Sequence, residues 1–139
     1  MITVTVWSDN IRFRNEISNA LKHENNITID NNCLSPDILI MQKNKSNVSV
    51  KANILIMLND KLFDNVDAQI AISCGVSDKN TLTLSSSETG QEMASLQREI
   101  LSINGKILEP REIDLSNVKG NADEKMLMGA LKLVLEKDS

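Results

Sequence analysis

Apolar and polar residues alternate at the start of the chain. Ile2, Val4 and Val6 are separated by Thr3 and Thr5, the period of a half-buried strand. Ser8-Asp9-Asn10 then offers side-chain oxygens to the free N–H groups of a helix start. Phe13, Ile17, Ala20 and Leu21 fall on one helical face, with Arg12, Arg14, Glu16 and Lys22 turned outward. Asn25-Asn26 ends this helix, because Asn tolerates the left-handed conformation found at helix ends. Ile27-Thr28-Ile29 reads as a short second strand, parallel to the first through a right-handed crossover. Asn31-Asn32 forms a turn, and Pro36-Asp37 opens Ile38-Leu39-Ile40-Met41, apolar on both faces as a covered central strand would be. Lys43 to Asn47 is a polar loop, and Val48 and Val50 either form a small extra strand or lead into the next one.

Three strand-like runs then crowd the middle: Ile54 to Leu58, Ala68 to Gly75, and Thr81 to Leu84. The gaps between them cannot hold crossover helices, which excludes folds in which strand and helix alternate strictly. Gly75 and Ser77-Asp78-Lys79-Asn80 supply the turn between the last two runs.

The remaining chain reads as more helical. Thr89 and Glu92 have capping-box spacing, and Met93, Leu96, Ile100 and Leu101 form an apolar stripe behind them, predicting a helix. Asn104-Gly105 stops it or makes a tight turn. Ile107-Leu108 and Ile113 to Leu115 suggest a late strand or strand pair. Asn121 to Glu124 again resembles a helix cap, ahead of a face made by Leu127, Leu131, Val134 and Leu135. Met126 and Met128 widen that face, either within the monomer's core or toward a dimer or partner surface. The prediction is a single α/β domain over residues 1–139, layered, with a mostly parallel central sheet: Rossmann-like, but with several strands joined by short connections.

Composition removes several functions. The 139 residues include one Trp, two Phe and no Tyr, and the net charge is −4. A chain with few stacking platforms and no positive field is poorly suited to nucleic acid. Cys33 and Cys74 lack metal-ligand spacing, and the single histidine, His23, completes no cluster with them and is expected on the surface. A disulfide between the two cysteines is open on sequence grounds. The first strand lacks the basic start and apolar stretch of a signal peptide, and no run approaches a membrane span. These features predict a cytoplasmic protein with free thiols and no membrane association. The abundance of Asn, Lys, Ile and Ser fits an AT-rich bacterial genome.

Neither the phosphate-binding P-loop nor the G-x-G-x-x-G dinucleotide fingerprint occurs, so no cofactor is expected and the balance leans away from an enzyme. Pro36-Asp37-Ile38-Leu39-Ile40-Met41-Gln42 resembles the third strand of receiver domains, with Ser8-Asp9 at the acidic pair and Ile54 to Asn59 at the fourth strand. At the phosphoacceptor position stands Gln42, which cannot form an acyl phosphate, so the resemblance implies at most a degenerate receiver. A second resemblance covers about residues 52–84. A strand ending in Asn59-Asp60, a strand ending in Cys74-Gly75 and the short strand Thr81 to Leu84 are similar to the end of the Mur ligase central domain. That family's P-loop and carbamylated lysine have no counterpart here, which implies a relative that kept the sheet and lost the ATPase.

Cys74-Gly75 lies at a strand end, where α/β domains place ligands. A thiol there is a nucleophile if a cation lowers its pKa, and a small buried hydrophobe otherwise. Ser85, Ser86, Ser87 and Thr89 lead into the predicted helix and could face an anion, although Glu88 and Glu92 put negative charge in the same mouth and ordinary capping explains the segment. With Asn59 and Asp60, these are the ligand candidates. Arg98 and Arg111 stand out as anchors if the mixed-charge surface contacts a protein. The expected function is a non-catalytic binding or regulatory module acting through a protein partner or a homodimer. The alternative is a small-ligand domain, for a nucleotide or an amino-sugar nucleotide, with its site near Gly75 and the Ser85–Thr89 loop.

Overall fold

A computed structural model describes residues 1–86 and 92–136. In chain order the elements are β1 (Ile2–Trp7), α1 (Ile11–Leu21), β2 (Ile27–Ile29), β3 (Ile38–Met41), β4 (Val50–Leu58), β5 (Val66–Gly75) and β6 (Leu82–Ser86). They are followed by β7 (Glu92–Leu96), β8 (Ile100–Leu101), β9 (Ile107–Leu108), β10 (Arg111–Asp114) and α2 (Ala122–Val134). Eight strands form one mixed sheet in the order β10-β7-β6-β5-β4-β3-β1-β2, and β8 and β9 form a separate two-stranded sheet. β1 is parallel to β2 and β3, β3 to β4, and β5 to β6. Val50 donates to the Asn65 carbonyl at 2.9 Å and Asn59 to that of Cys74 at 2.7 Å, so β5 runs beside β4 in the same direction. Residues 59–65 must therefore return along the whole strand in extended form, which leaves no length for a helix. The mostly parallel sheet and its helix-free connections agree with the sequence pattern.

Contacts cluster into two compact units, residues 1–57 with 61–71, and residues 58–60 with 72–139. In the first, α1 starts at Asn10, whose side chain accepts from the N–H groups of Arg12 and Phe13, and it buries Phe13, Ile17 and Leu21. Ala20, expected on that face, is exposed instead. On the sheet, Val4, Val6, Ile38 and Ile40 are buried with one alternation phase, and Trp7, Leu39 and Met41 with the other. The second set forms a core cluster with Val50, Ala52, Leu55 and Met57. On β4 the cluster takes residues of both alternation phases, Val50 and Ala52 from one and Leu55 and Met57 from the other. Loop and strand-start residues cover the cluster: Val48, Phe63, Val66 and Ala68 pack against it while only partly buried themselves.

Asn65 ties those loops together. Its amide donates to Asn44 Oδ1, to the Lys45 carbonyl and to the Val48 carbonyl, each at 2.9 Å, and its own oxygen accepts from Asn44 Nδ2 at 3.3 Å. Asn65→Ala should therefore cost about 2 kcal/mol, since it strands partly buried carbonyls as well as removing bonds. Urea unfolding would measure it, and a loss below about 0.5 kcal/mol would show that the covering loops are held by apolar contact alone.

In the second unit β6 pairs with β7, and β7 with β10, both antiparallel. This corrects the sequence reading. Residues expected in a helix, Met93 and Leu96, lie in β7, while Ile100 and Leu101 lie in β8. The two late strands part company, since β9 pairs with β8 and β10 with β7. The capping-box expectation for Thr89 falls outside the described residues. At the chain's other expected cap the reading held. Asn121 accepts from the Glu124 N–H while Glu124 accepts from that of Asn121. α2 is buried nearly all round, including Met126 and Met128, which therefore belong to the core rather than to an open surface. Gly105, at φ +82, makes the tight β8–β9 turn that a left-handed residue allows, and the Ile103 N–H donates to the Val134 carbonyl at the end of α2.

Candidate functional site

In the first unit the chain passes from β1 through α1 to β2 on one side, then to β3 on the other side of β1. The carboxyl ends of β1 and β3 lie side by side, with Trp7 opposite Met41. In open α/β sheets a reversal of this kind opens a crevice where ligands bind. Here the chain's own polar groups at these strand ends bond to one another. Ser8 is buried; its hydroxyl donates to Gln42 Oε1 and accepts from the Asn10 N–H at 3.0 Å. The N–H groups of Gln42 and Lys43 both donate to the Trp7 carbonyl, at 2.9 and 3.1 Å. Lys43 forms an ion pair with Asp9, and its hydrogen bond and charge hold the Asp9 carboxyl below its ordinary pKa. Asn10 caps α1 with its own side-chain oxygen. The residues at the receiver-like positions thus satisfy one another.

The remaining candidates belong to the second unit. Asn59 has φ +61, a left-handed conformation that Asn tolerates, and its N–H is bonded to the Cys74 carbonyl. Gly75 is closely approached by two side-chain amides. A Cβ there would lie 2.6 Å from Asn80 Nδ2 and 2.8 Å from Asn59 Oδ1. Sequence reasoning treated Asn80 only as a turn residue, yet its side chain is 2% exposed and packs on Gly75. Its Nδ2 donates to the Ser77 carbonyl at 3.0 Å, and its Oδ1 is buried without a partner among the described residues. No sequence signal separates this Asn from the solvent-facing turn residues around it. Nearby, Arg98 donates to the Lys79 carbonyl at 2.8 Å, a structural role. Asp60 is exposed, and Ser85 lies in β6 with its hydroxyl donating to the Met93 carbonyl at 3.4 Å. Ser86 ends β6, opposite Glu92. Ser87 and Thr89 lie outside the described residues; among the candidates within them, the structure brings Asn59 against Cys74 and Gly75.

Cys74 does not fit a reactive role. The thiol is buried beside α2, where Sγ lies 3.9 Å from the Met126 carbonyl. Burial, and then the negative charge of Asp123, push its pKa up to about 12. A thiolate nucleophile needs the opposite environment. Cys33 and Cys74 are both free, which closes the disulfide option. His23 is exposed. Among the described residues there is no cluster of three or more His, Cys, Asp or Glu able to hold a metal ion, and no helix long and apolar enough to cross a membrane.

No family model matches the chain, and neither a curated protein nor a solved structure is significantly similar to it.

Proposed function

We propose that this chain is a non-catalytic binding or regulatory module acting through protein contacts, on a Rossmann-like sheet whose ligand crevice is closed. The neighbour order β2-β1-β3-β4-β5 is that of doubly wound flavodoxin-like folds, which bind ligands beside the first strand. The observation that carries the reading is the Ser8–Gln42 and Asp9–Lys43 pairing at that position. A phosphate or nucleotide would have to break the buried Ser8–Gln42 bond as well as the exposed Asp9–Lys43 pair. The receiver-like run ending in Gln42 supports the same view, because an amide there accepts no phosphoryl group. The resemblance of residues 52–84 to Mur ligases is compatible with an ancestor that bound nucleotides, and it assigns no catalytic residue. A reducing cytoplasm suits the two free thiols.

A second reading, a small-ligand site around Gly75, is favoured by the buried, partnerless Oδ1 of Asn80. A hydroxyl or ammonium donor would satisfy it. The volume beside Gly75 is already taken by the Asn59 and Asn80 amides, which ranks this reading second.

A thermal-shift panel separates the two. Nucleotides, amino-sugar nucleotides, simple anions, and magnesium with beryllofluoride should leave the melting temperature unchanged if the crevice is closed. A saturable rise with one ligand class would overturn the leading reading. Such a rise would support the second one if Asn80→Ala abolished it.

A further inference from the structure

β4 and β5 share a polar face near their amino ends. The Val50 N–H donates to the Asn65 carbonyl at 2.9 Å, and in a parallel pair this bond sets Val50 beside Val66. Lys51 therefore lies beside Asp67, and Asn53 beside Gln69. Val50 and Ala52 belong to the Trp7 cluster, and Val66 and Ala68 pack against it. By alternation the four polar side chains point to the opposite face, where all of them are exposed. A cavity of about 440 Å³ lies over them, with Ser35 and Pro36 as its wall. That wall is tied down, since the Lys51 N–H donates to the Leu34 carbonyl and the Ile54 N–H to the Asp37 carbonyl, both at 3.0 Å. Opposite charges side by side on neighbouring strands ordinarily pair. Here the Lys51 ammonium and the Asp67 carboxylate form no ion pair or hydrogen bond with each other or with any other described group. The Gln69 amide also lacks a partner among the described residues, whereas Asn53 Nδ2 donates to Asp37 Oδ1 at 3.3 Å.

We propose that this cavity binds a free α-amino acid with a carboxamide side chain, glutamine being the best fit. Its carboxylate would meet Lys51 and its ammonium Asp67, whose backbones are one strand spacing apart, about 5 Å. The Asn53–Gln69 pair lies two residues further on, about 7 Å along the strands. A glutamine side chain reaches from the charged head toward that pair, where the Gln69 amide both donates and accepts. A ligand with a single charge satisfies only one of the two charged groups, and a neutral sugar neither. The site goes beyond the protein-contact reading and does not depend on it. It lies at the amino ends of β4 and β5, whereas the Ser8–Gln42 crevice lies at the carboxyl ends of β1 and β3. All four side chains face water, so each contact is screened and the expected Kd is about 1–10 mM. Such an affinity suits the sensing of an abundant solute, not its capture.

The experiment is a titration of the 15N-labelled full chain with L-glutamine to about 50 mM, well above that Kd. Saturable shifts are expected at residues 51–53 and 67–69 and at the Gln69 side-chain amide. N-acetylglutamine lacks the ammonium, glutamine amide lacks the carboxylate, and alanine lacks the carboxamide. Each should bind about fivefold more weakly. Asp67→Asn should weaken glutamine and leave N-acetylglutamine unchanged, while Lys51→Met should weaken glutamine and leave the amide unchanged. Both positions are exposed, so both variants should keep the parent's spectrum elsewhere. A linear response without saturation, or shifts confined to other residues, would overturn the proposal. So would equal binding of glutamine and its three analogues, or glutamine binding that survives both substitutions. Saturable binding of glucose at the same residues would overturn the choice of ligand.

Discussion

Replacing Trp7 with alanine should destabilise the protein by about 3–5 kcal/mol, the largest single-residue loss expected here. Trp7 is 1% exposed and sits in the cluster with Leu39, Met41, Val50, Ala52, Leu55 and Met57. The Lys45 ammonium lies 6.0 Å from the ring centroid, which adds a weak cation–π attraction at the outer side. Two features set where in the range the loss falls. The floor of the cluster is strand, which cannot close around a missing indole. The cover includes half-buried Val48 and Phe63 from the loops, and these can sink part of the way into the space. The lower half of the range is therefore expected, with Trp7→Phe costing about 1–2 kcal/mol because most of the volume remains. Against a typical total of about 5–15 kcal/mol the alanine variant would be marginal. Urea unfolding followed by circular dichroism measures this without the lost fluorophore. A loss below about 1.5 kcal/mol would mean that the loop-covered face is not a core at all.

The parts of this fold that were legible in the sequence are those fixed by short-range pattern. The strand at Ile2–Val6, the Asn10 cap and the Asn121–Glu124 box each follow from neighbouring residues, and all three occur, although β1 is buried on both faces, Thr5 included, and not half-buried as its alternation suggests. Gap lengths between the central runs excluded helices there, because an extended return is the shortest path between parallel strands. The segment from Met93 to Leu101 was misread for a definite reason. Its apolar spacing fits a helical stripe, yet Ala94 and Leu96 also alternate. Pairing with Leu84 and Leu82 on β6, and with β10 on the other side, decides in favour of strand. Those partners are remote in sequence, and strand propensity is governed by such neighbours. The candidate site was legible in part. Gln42 excluded phosphoryl chemistry by its residue type alone, but that Ser8 would bond to it required the register of β1 against β3. The Gly75 contact with Asn59 and Asn80 likewise depends on strand order.

The alkaline limb of stability should belong largely to Cys74. The thiol is buried and its pKa is raised from 9.0 to about 12, so the folded state holds its proton across a range in which the unfolded chain releases it. The neutral thiol's contribution is complete below pH 9 and is lost as the pH rises toward the folded value, since the unfolded state then binds fewer protons. The gap between 9.0 and about 12 corresponds to about 4 kcal/mol over that window, because each pH unit is worth about 1.36 kcal/mol. Cys74→Ala isolates this quantity. The variant should be less stable than the parent at pH 7, by about 1–2 kcal/mol for the lost buried sulfur, and the difference should shrink and reverse as the pH climbs. Lysine titrations are common to both proteins and cancel in the comparison. The same environment governs reactivity. In the native protein at pH 8 a thiol reagent should modify Cys74 about a thousandfold more slowly than it does the same thiol in the unfolded chain, from thiolate fraction alone, while half-buried Cys33 is open to the reagent. Both should react in urea. Rapid native labelling of Cys74, or stability curves for parent and variant that stay parallel above pH 9, would place this thiol in a polar setting and return it to the list of reactive candidates.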